Sequence, residues 1–86
     1  MFEVILSPGA AEFYAAADGP LASKLARCFR RLEAEPRKGN NVKRLKEEQA
    51  GYQRYRVGDW RVIYRVEDAD SRVYVVAIAH RREVYE

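Results

Sequence analysis

The sequence predicts an α+β domain: a two-helix hairpin packed on one face of a small, mainly antiparallel four-stranded sheet, in the order β-α-α-β-β-β. Three observations carry this expectation. Residues 20–35 hold an apolar stripe at helical period, residues from 52 onward alternate with period two between turn signals, and 86 residues leave room for one domain only. Residues 1–86 are therefore read as a single domain.

Each element has its own justification. Phe2-Glu3-Val4-Ile5-Leu6 has strand composition. Ser7-Pro8 then reads as an N-cap followed by proline in the first helical turn, opening an alanine-rich helix over roughly residues 8–17. Asp18-Gly19-Pro20 breaks that helix and starts a second, about residues 20–35. In it Leu21, Leu25, Cys28, Phe29 and Leu32 line one face, and Pro36 stops it. Cys28 lies in the stripe and is expected to be a small buried hydrophobe, not a nucleophile. Residues 37–51 show no sustained period; they read as a long basic connection, pinned by Val42 and Leu45, of a length that is often functional. Residues 52–57, 60–66 and 72–79 follow as a three-stranded meander. Gly58-Asp59 is a two-residue turn between the first pair, and Asp68-Ala69-Asp70-Ser71 turns the second.

Composition excludes several classes of function. One cysteine permits no intramolecular disulfide, no charged-then-apolar leader opens the chain, and no apolar run approaches the ~18 residues that span a bilayer. A cytoplasmic protein with no membrane partner is expected. One histidine among scattered carboxylates offers no zinc or two-metal spacing, so neither metal nor cofactor is expected.

Charge is unevenly spread. The net charge is +3, yet residues 37–66 carry 9 basic and 3 acidic side chains, and arginine supplies 12 of the 16 basic residues. Arginine grips planar anions such as phosphate in a fork. Across a two-residue Gly58-Asp59 turn, Val57 pairs with Trp60, Arg56 with Arg61, Tyr55 with Val62 and Arg54 with Ile63. Alternation then puts Tyr55, Val57, Trp60, Val62, Tyr64 and Val66 on one face, where the helices dock, and Arg54, Arg56, Arg61 and Arg65 on the other. A second turn over 68–71 sets Arg61 opposite Ile78 and Asp59 opposite His80, which puts His80 on the arginine face. Directly opposed arginines repel by a few tenths to ~1 kcal/mol. Either Asp59 and Glu83 compensate or an external anion does, and the anion is favoured. A phosphodiester suits, because several arginines converge and Tyr52, Tyr74 and Tyr85 are available to stack bases. Trp60, on the helix side, belongs to the core.

The run Tyr52-Gln53-Arg54-Tyr55-Arg56-Val57-Gly58-Asp59-Trp60-Arg61-Val62-Ile63-Tyr64 resembles the Y-R-x-R-x-G-D-Y-R-x-I-Y heart of the RelE/ParE toxin superfamily. His80-Arg81-Arg82-Glu83-Val84-Tyr85 resembles the H-R-x-x-x-Y ending of its RelE branch, and Lys43-Arg44-Leu45 the K-x-L step before the sheet. The resemblance covers essentially the whole chain. It implies a ribosome-dependent endoribonuclease that cuts mRNA in the A site and is blocked by a cognate antitoxin. It also implies that Arg54 and Arg56 are the basic residues of the first hairpin strand, Arg61 the arginine after the turn, and Arg81 and Tyr85 the C-terminal pair. RelE has lysines where this chain has Arg54 and Arg56. Arginine hardly deprotonates, so Arg54 and Arg56 are poor general bases and His80 is expected to supply acid–base function instead; of His80 and Arg81 as residues that handle a proton, His80 is better matched to neutral pH. Arg61, helped by Arg56 and Arg54, is expected to hold the phosphoryl oxygens and Tyr85 to orient a base, while Lys43, Arg44 and Lys46 contact RNA phosphates. The ParE branch, whose target is DNA gyrase, is the alternative, followed by a module that binds RNA or antitoxin without chemistry.

Overall fold

The protein is described here by a computed structural model covering residues 1–46 and 49–84. Strand β1 (Glu3–Leu6) leads into helices α1 (Pro8–Ala16) and α2 (Gly19–Ala34). Strands β2 (Val42–Arg44), β3 (Gln53–Val57), β4 (Trp60–Glu67) and β5 (Arg72–His80) follow, and a 3-10 turn (Arg81–Glu83) closes the described chain. The sheet order is β1-β5-β4-β3-β2, with β1 parallel to β5 and every other neighbour antiparallel. The expected fold class stands. The sheet has five strands where four were expected, because three residues of the basic connection pair with β3. Too short to show a period, that edge strand had no signal in composition.

The helices start where their caps predict. The Ser7 hydroxyl accepts from Ala10 N–H at 3.2 Å and the Asp18 carboxylate from Leu21 N–H at 2.9 Å. Leu25, Cys28 and Leu32 of α2 are buried against Val57, Val62, Tyr64, Val73 and Val75 of the sheet. Tyr14 and Phe29 meet edge to face at 5.2 Å, and Phe13 packs on Trp60 at 4.8 Å. Trp60 is thus on the helix side, as expected. The buried Tyr64 hydroxyl donates to the Pro36 carbonyl at 2.6 Å, tying the end of α2 to the central strand. Burial pushes its phenol pKa up, and pushes that of the Cys28 thiol up to about 12.

The β3–β4 register is the expected one, with Arg56 opposite Arg61 and Val57 opposite Trp60. The β4–β5 register is as expected only near its turn, from Glu67↔Arg72 to Tyr64↔Val75. Ile63 then pairs with Ala77, so Val76 is an extra residue, a β-bulge. Beyond it Arg61 lies opposite Ala79 and Trp60 opposite His80. The expectation that Arg61 faces Ile78 and that His80 shares the arginine face is therefore corrected. One inserted residue moves every later side chain of β5 to the other face. His80 stands edge-on to Trp60 at 5.3 Å, on the helix side.

Ser7 fastens this bulge. Its N–H donates to the Val75 carbonyl at 2.8 Å and its hydroxyl donates to the Val76 carbonyl at 3.0 Å. The same hydroxyl caps α1, so Ser7→Ala should cost about 1–2 kcal/mol, measured by urea denaturation. The Cys28 thiol should resist an aromatic disulfide reagent at pH 8 in the folded protein and react once it is unfolded, since a thiol titrating near 12 presents almost no thiolate there.

Candidate functional site

The face of the sheet away from the helices gathers the basic residues. Lys43 on β2 lies opposite Arg54 on β3, and Arg56 on β3 lies opposite Arg61 on β4. Arg65 lies opposite Tyr74, with its guanidinium carbon 4.4 Å from the ring centre, and pairs with the Glu67 carboxylate. Tyr74 is thus already covered by an arginine. Opposite Ile63 and Arg61, β5 places the small side chains of Ala77 and Ala79. The bulge does this: it sends Ile78 to the core and the two alanines to the arginine side.

The arginines differ sharply in environment. Arg56 is exposed, whereas Arg54 and Arg61 are each only 9% exposed. Arg61 curls under the hairpin tip, where its Nη1 donates to the Gly58 carbonyl at 2.9 Å and to the Trp60 carbonyl at 3.0 Å. Gly58 takes φ +58°, which a side chain would resist and which the tight turn requires. Arg54 Nη1 donates to the Asn41 carbonyl at 2.6 Å, and the Asn41 side-chain oxygen lies 3.5 Å from Arg56 Nη2. Carbonyl oxygens thus offset part of the arginine crowding. Asn41 was not foreseen; its signal was the Gly39-Asn40-Asn41 turn composition, with Gly39 at φ +117°.

The two acids considered as compensation are committed elsewhere. Asp59 accepts from Arg81 twice over: its carbonyl takes the Arg81 N–H at 2.8 Å, and its carboxylate lies 3.6 Å from Arg81 Nε. Glu83 accepts the His80 N–H at 3.1 Å, while His80 Nδ1 accepts the Arg82 N–H at 3.2 Å. This reciprocal capping box fixes the 3-10 turn that carries Arg81. A ring that accepts through Nδ1 carries its proton on Nε2 in the neutral form.

The predicted site residues divide accordingly. Arg54, Arg56, Arg61 and Lys43 share one face, and Arg81 is tied to Asp59 at the hairpin tip. His80 is close in sequence but lies on the helix side. Arg44 pairs with Gln53 and lines a different cavity of about 570 Å³ with Arg37, Leu45 and Tyr52. Arg44 and Tyr52 are thus not brought to the arginine face. Lys46 is exposed beyond the end of β2. Tyr85 lies outside the described residues.

The sequence model of the ParE toxin of the type II toxin–antitoxin system parDE matches residues 4–85. The fold is similar to that of the YoeB/ParE toxin from Agrobacterium tumefaciens, at TM-score 0.81 and 23% identity over 92% of this chain and 98% of that one. It is similar to a chain of the archaeal RelE–RelB complex from Pyrococcus horikoshii OT3, at TM-score 0.80 and 23% identity over 96% and 98%. The isolated E. coli RelE toxin aligns at TM-score 0.78 and 15% identity over 93% and 84%. No curated protein matches the sequence.

The two opposed arginines should separate on substitution. Arg56→Ala removes an exposed like charge and should leave stability unchanged or raise it by a few tenths of a kcal/mol. Arg61→Ala strips two carbonyls of a charged donor and should cost about 1–3 kcal/mol. Urea denaturation of both variants measures the difference.

Proposed function

This chain belongs to the ParE toxin family of type II toxin–antitoxin systems, within the RelE/ParE superfamily, and from that premise we propose that it is a metal-independent endoribonuclease acting on mRNA in the ribosomal A site, in the cytoplasm, held inactive by a cognate antitoxin. The observation that carries this reading is the Arg56–Arg61 pair, with Arg56 exposed, Arg61 held by the carbonyls of the hairpin turn and Arg81 tied to Asp59 of that same turn.

In the proposed reaction the RNA's own 2′-hydroxyl attacks the adjacent phosphorus and gives up its proton to water, the P–O5′ bond breaks, a 2′,3′-cyclic phosphate remains and the 5′-oxygen leaves as a hydroxyl. Arg56 and Arg61, with Arg54, hold the phosphoryl oxygens as charge builds on them, at ~3–4 kcal/mol for a well-placed donor. Arg61 is pre-set for this by the carbonyls that grip its Nη1. Proton delivery to the leaving oxygen is assigned to Arg81 or His80. His80 would have to act through Nε2, since Nδ1 serves the cap, and from the far side of the strand end. Tyr85 is given the task of orienting a base. Lys43 and Lys46 contact phosphates near the site, and Arg44 contacts the RNA or its ribosomal surroundings from the other face. So weak an acid–base set needs a substrate already held in line, which the ribosome would supply.

An antitoxin partner is supported by relatives solved as complexes, RelE with RelB from P. horikoshii and YoeB with YefM from Staphylococcus aureus. A second reading, inhibition of DNA gyrase, is favoured by the family match itself, which is to the ParE toxin. Primer extension on a reporter mRNA after induction decides between them. Wild type should give codon-positioned stops, and Arg56→Ala or Arg81→Ala should reduce them by about 100-fold. Intact mRNA together with a DNA-damage response would overturn the nuclease reading and establish the gyrase one.

A further inference from the structure

A second basic surface lies on the helix side of the molecule. Lys24, Arg27 and Arg31 are all exposed and occupy one face of α2, at spacings of three and four residues, a row about 10 Å long. They line a groove of about 410 Å³ between α2 and β3, whose other wall includes Asn41, Tyr55 and Arg56. No acidic residue is among the described residues lining it. Lys24 and Arg27 enter no ion pair among the described residues, whereas Arg37, Lys38, Arg65, Arg72 and Arg81 each have a carboxylate. The 37–41 connection closes one end, with Arg31 Nη2 only 3.3 Å from where a side chain on Gly39 would begin.

Arg56 belongs to both surfaces. It faces Arg61 across the hairpin and also lines the α2 groove. Strand β2 pairs with β3 only as far as Tyr55, and Asn41 adds one bond to the Arg56 N–H at 2.9 Å. Past that point no described strand covers the β3 edge, and Arg56 stands there between Lys43 on the sheet face and the basic row of α2.

We propose that the α2–β3 groove is a second binding site for the phosphodiester backbone of an RNA strand, which runs from the arginine face around the β3 edge and along Lys24, Arg27 and Arg31. The choice of RNA over another polyanion rests on the nuclease reading above; the groove and its charge do not. Backbone contacts of this kind position a strand without reading its sequence.

The test uses the full chain, chemically synthesised and folded, and a fluorescent 2′-O-methyl-uridine 12-mer, which lacks the attacking hydroxyl and cannot be cut. Fluorescence anisotropy is titrated at 50 and 200 mM salt. The variant Lys24→Gln/Arg27→Gln/Arg31→Gln is compared with Arg37→Gln/Lys38→Gln/Arg72→Gln, which loses the same charge elsewhere; thermal melting checks that both are folded. Three lost phosphate contacts should lower the salt slope by about 2, so that wild type loses roughly 20-fold more affinity between the two salts than the groove variant does. The control should keep the wild-type slope. Equal behaviour of the two variants would overturn the proposal. So would a groove variant that keeps RNA affinity while losing affinity for polyglutamate, which would assign the groove to an acidic protein segment. Because the readout is binding, absence of ribosomal cleavage would sink the nuclease reading and leave this result standing.

Discussion

The site depends on one extra residue in one strand. Val76 is inserted in β5 opposite the Ile63–Tyr64 step of β4, and both faces of the sheet are set by that insertion. It turns Ile78 into the core and gives the arginine face two alanines. It also swings His80 beneath Trp60, where the ring packs, caps the final 3-10 turn and so presents Arg81. A bulge breaks ladder hydrogen bonds and needs another partner for the groups it frees. Ser7 is that partner: it meets the carbonyls on either side of the insertion while capping α1. Chain entry into the helical hairpin and the geometry of the far end of β5 are therefore linked through a single side chain.

The second organising feature is electrostatic. Opposed arginines are a liability in a sheet selected for stability alone. Here the liability is reduced locally, because Arg61 is drawn into the carbonyls of the hairpin turn and Arg54 into the carbonyl of Asn41. These bonds hold guanidinium groups in place while their charge remains. Arg56 is left exposed at the junction of two basic surfaces. A face of charges held in place by the protein's own carbonyls needs little reorganisation when an anion meets it.

Much of this was legible from local signals. Ser7-Pro8 and Asp18-Gly19-Pro20 located the helices to within a residue or two, because capping depends only on neighbours in the chain. Gly58-Asp59 gave the β3–β4 register, and with it the arginine pair, because a two-residue turn leaves no freedom in pairing. The bulge left a trace that alternation alone passed over. The large apolar residues of β5 that reach the core are Val73, Val75 and Ile78, at spacings of two and then three. That broken period is the mark of an inserted residue.

What the sequence by itself determined was the class of fold, the hairpin pairing and the identity of the crowded arginines, all consequences of periodicity, capping and turn chemistry acting over a few residues. Only the tertiary structure decided that residues 42–44 pair as an edge strand, that His80 crosses to the helix side and that Arg44 parts from Lys43. It also decided that Lys24, Arg27 and Arg31 share a groove with Arg56. Each of these depends on contacts between segments distant in the chain, and such contacts form only where packing, not local preference, selects one register among several of similar local energy.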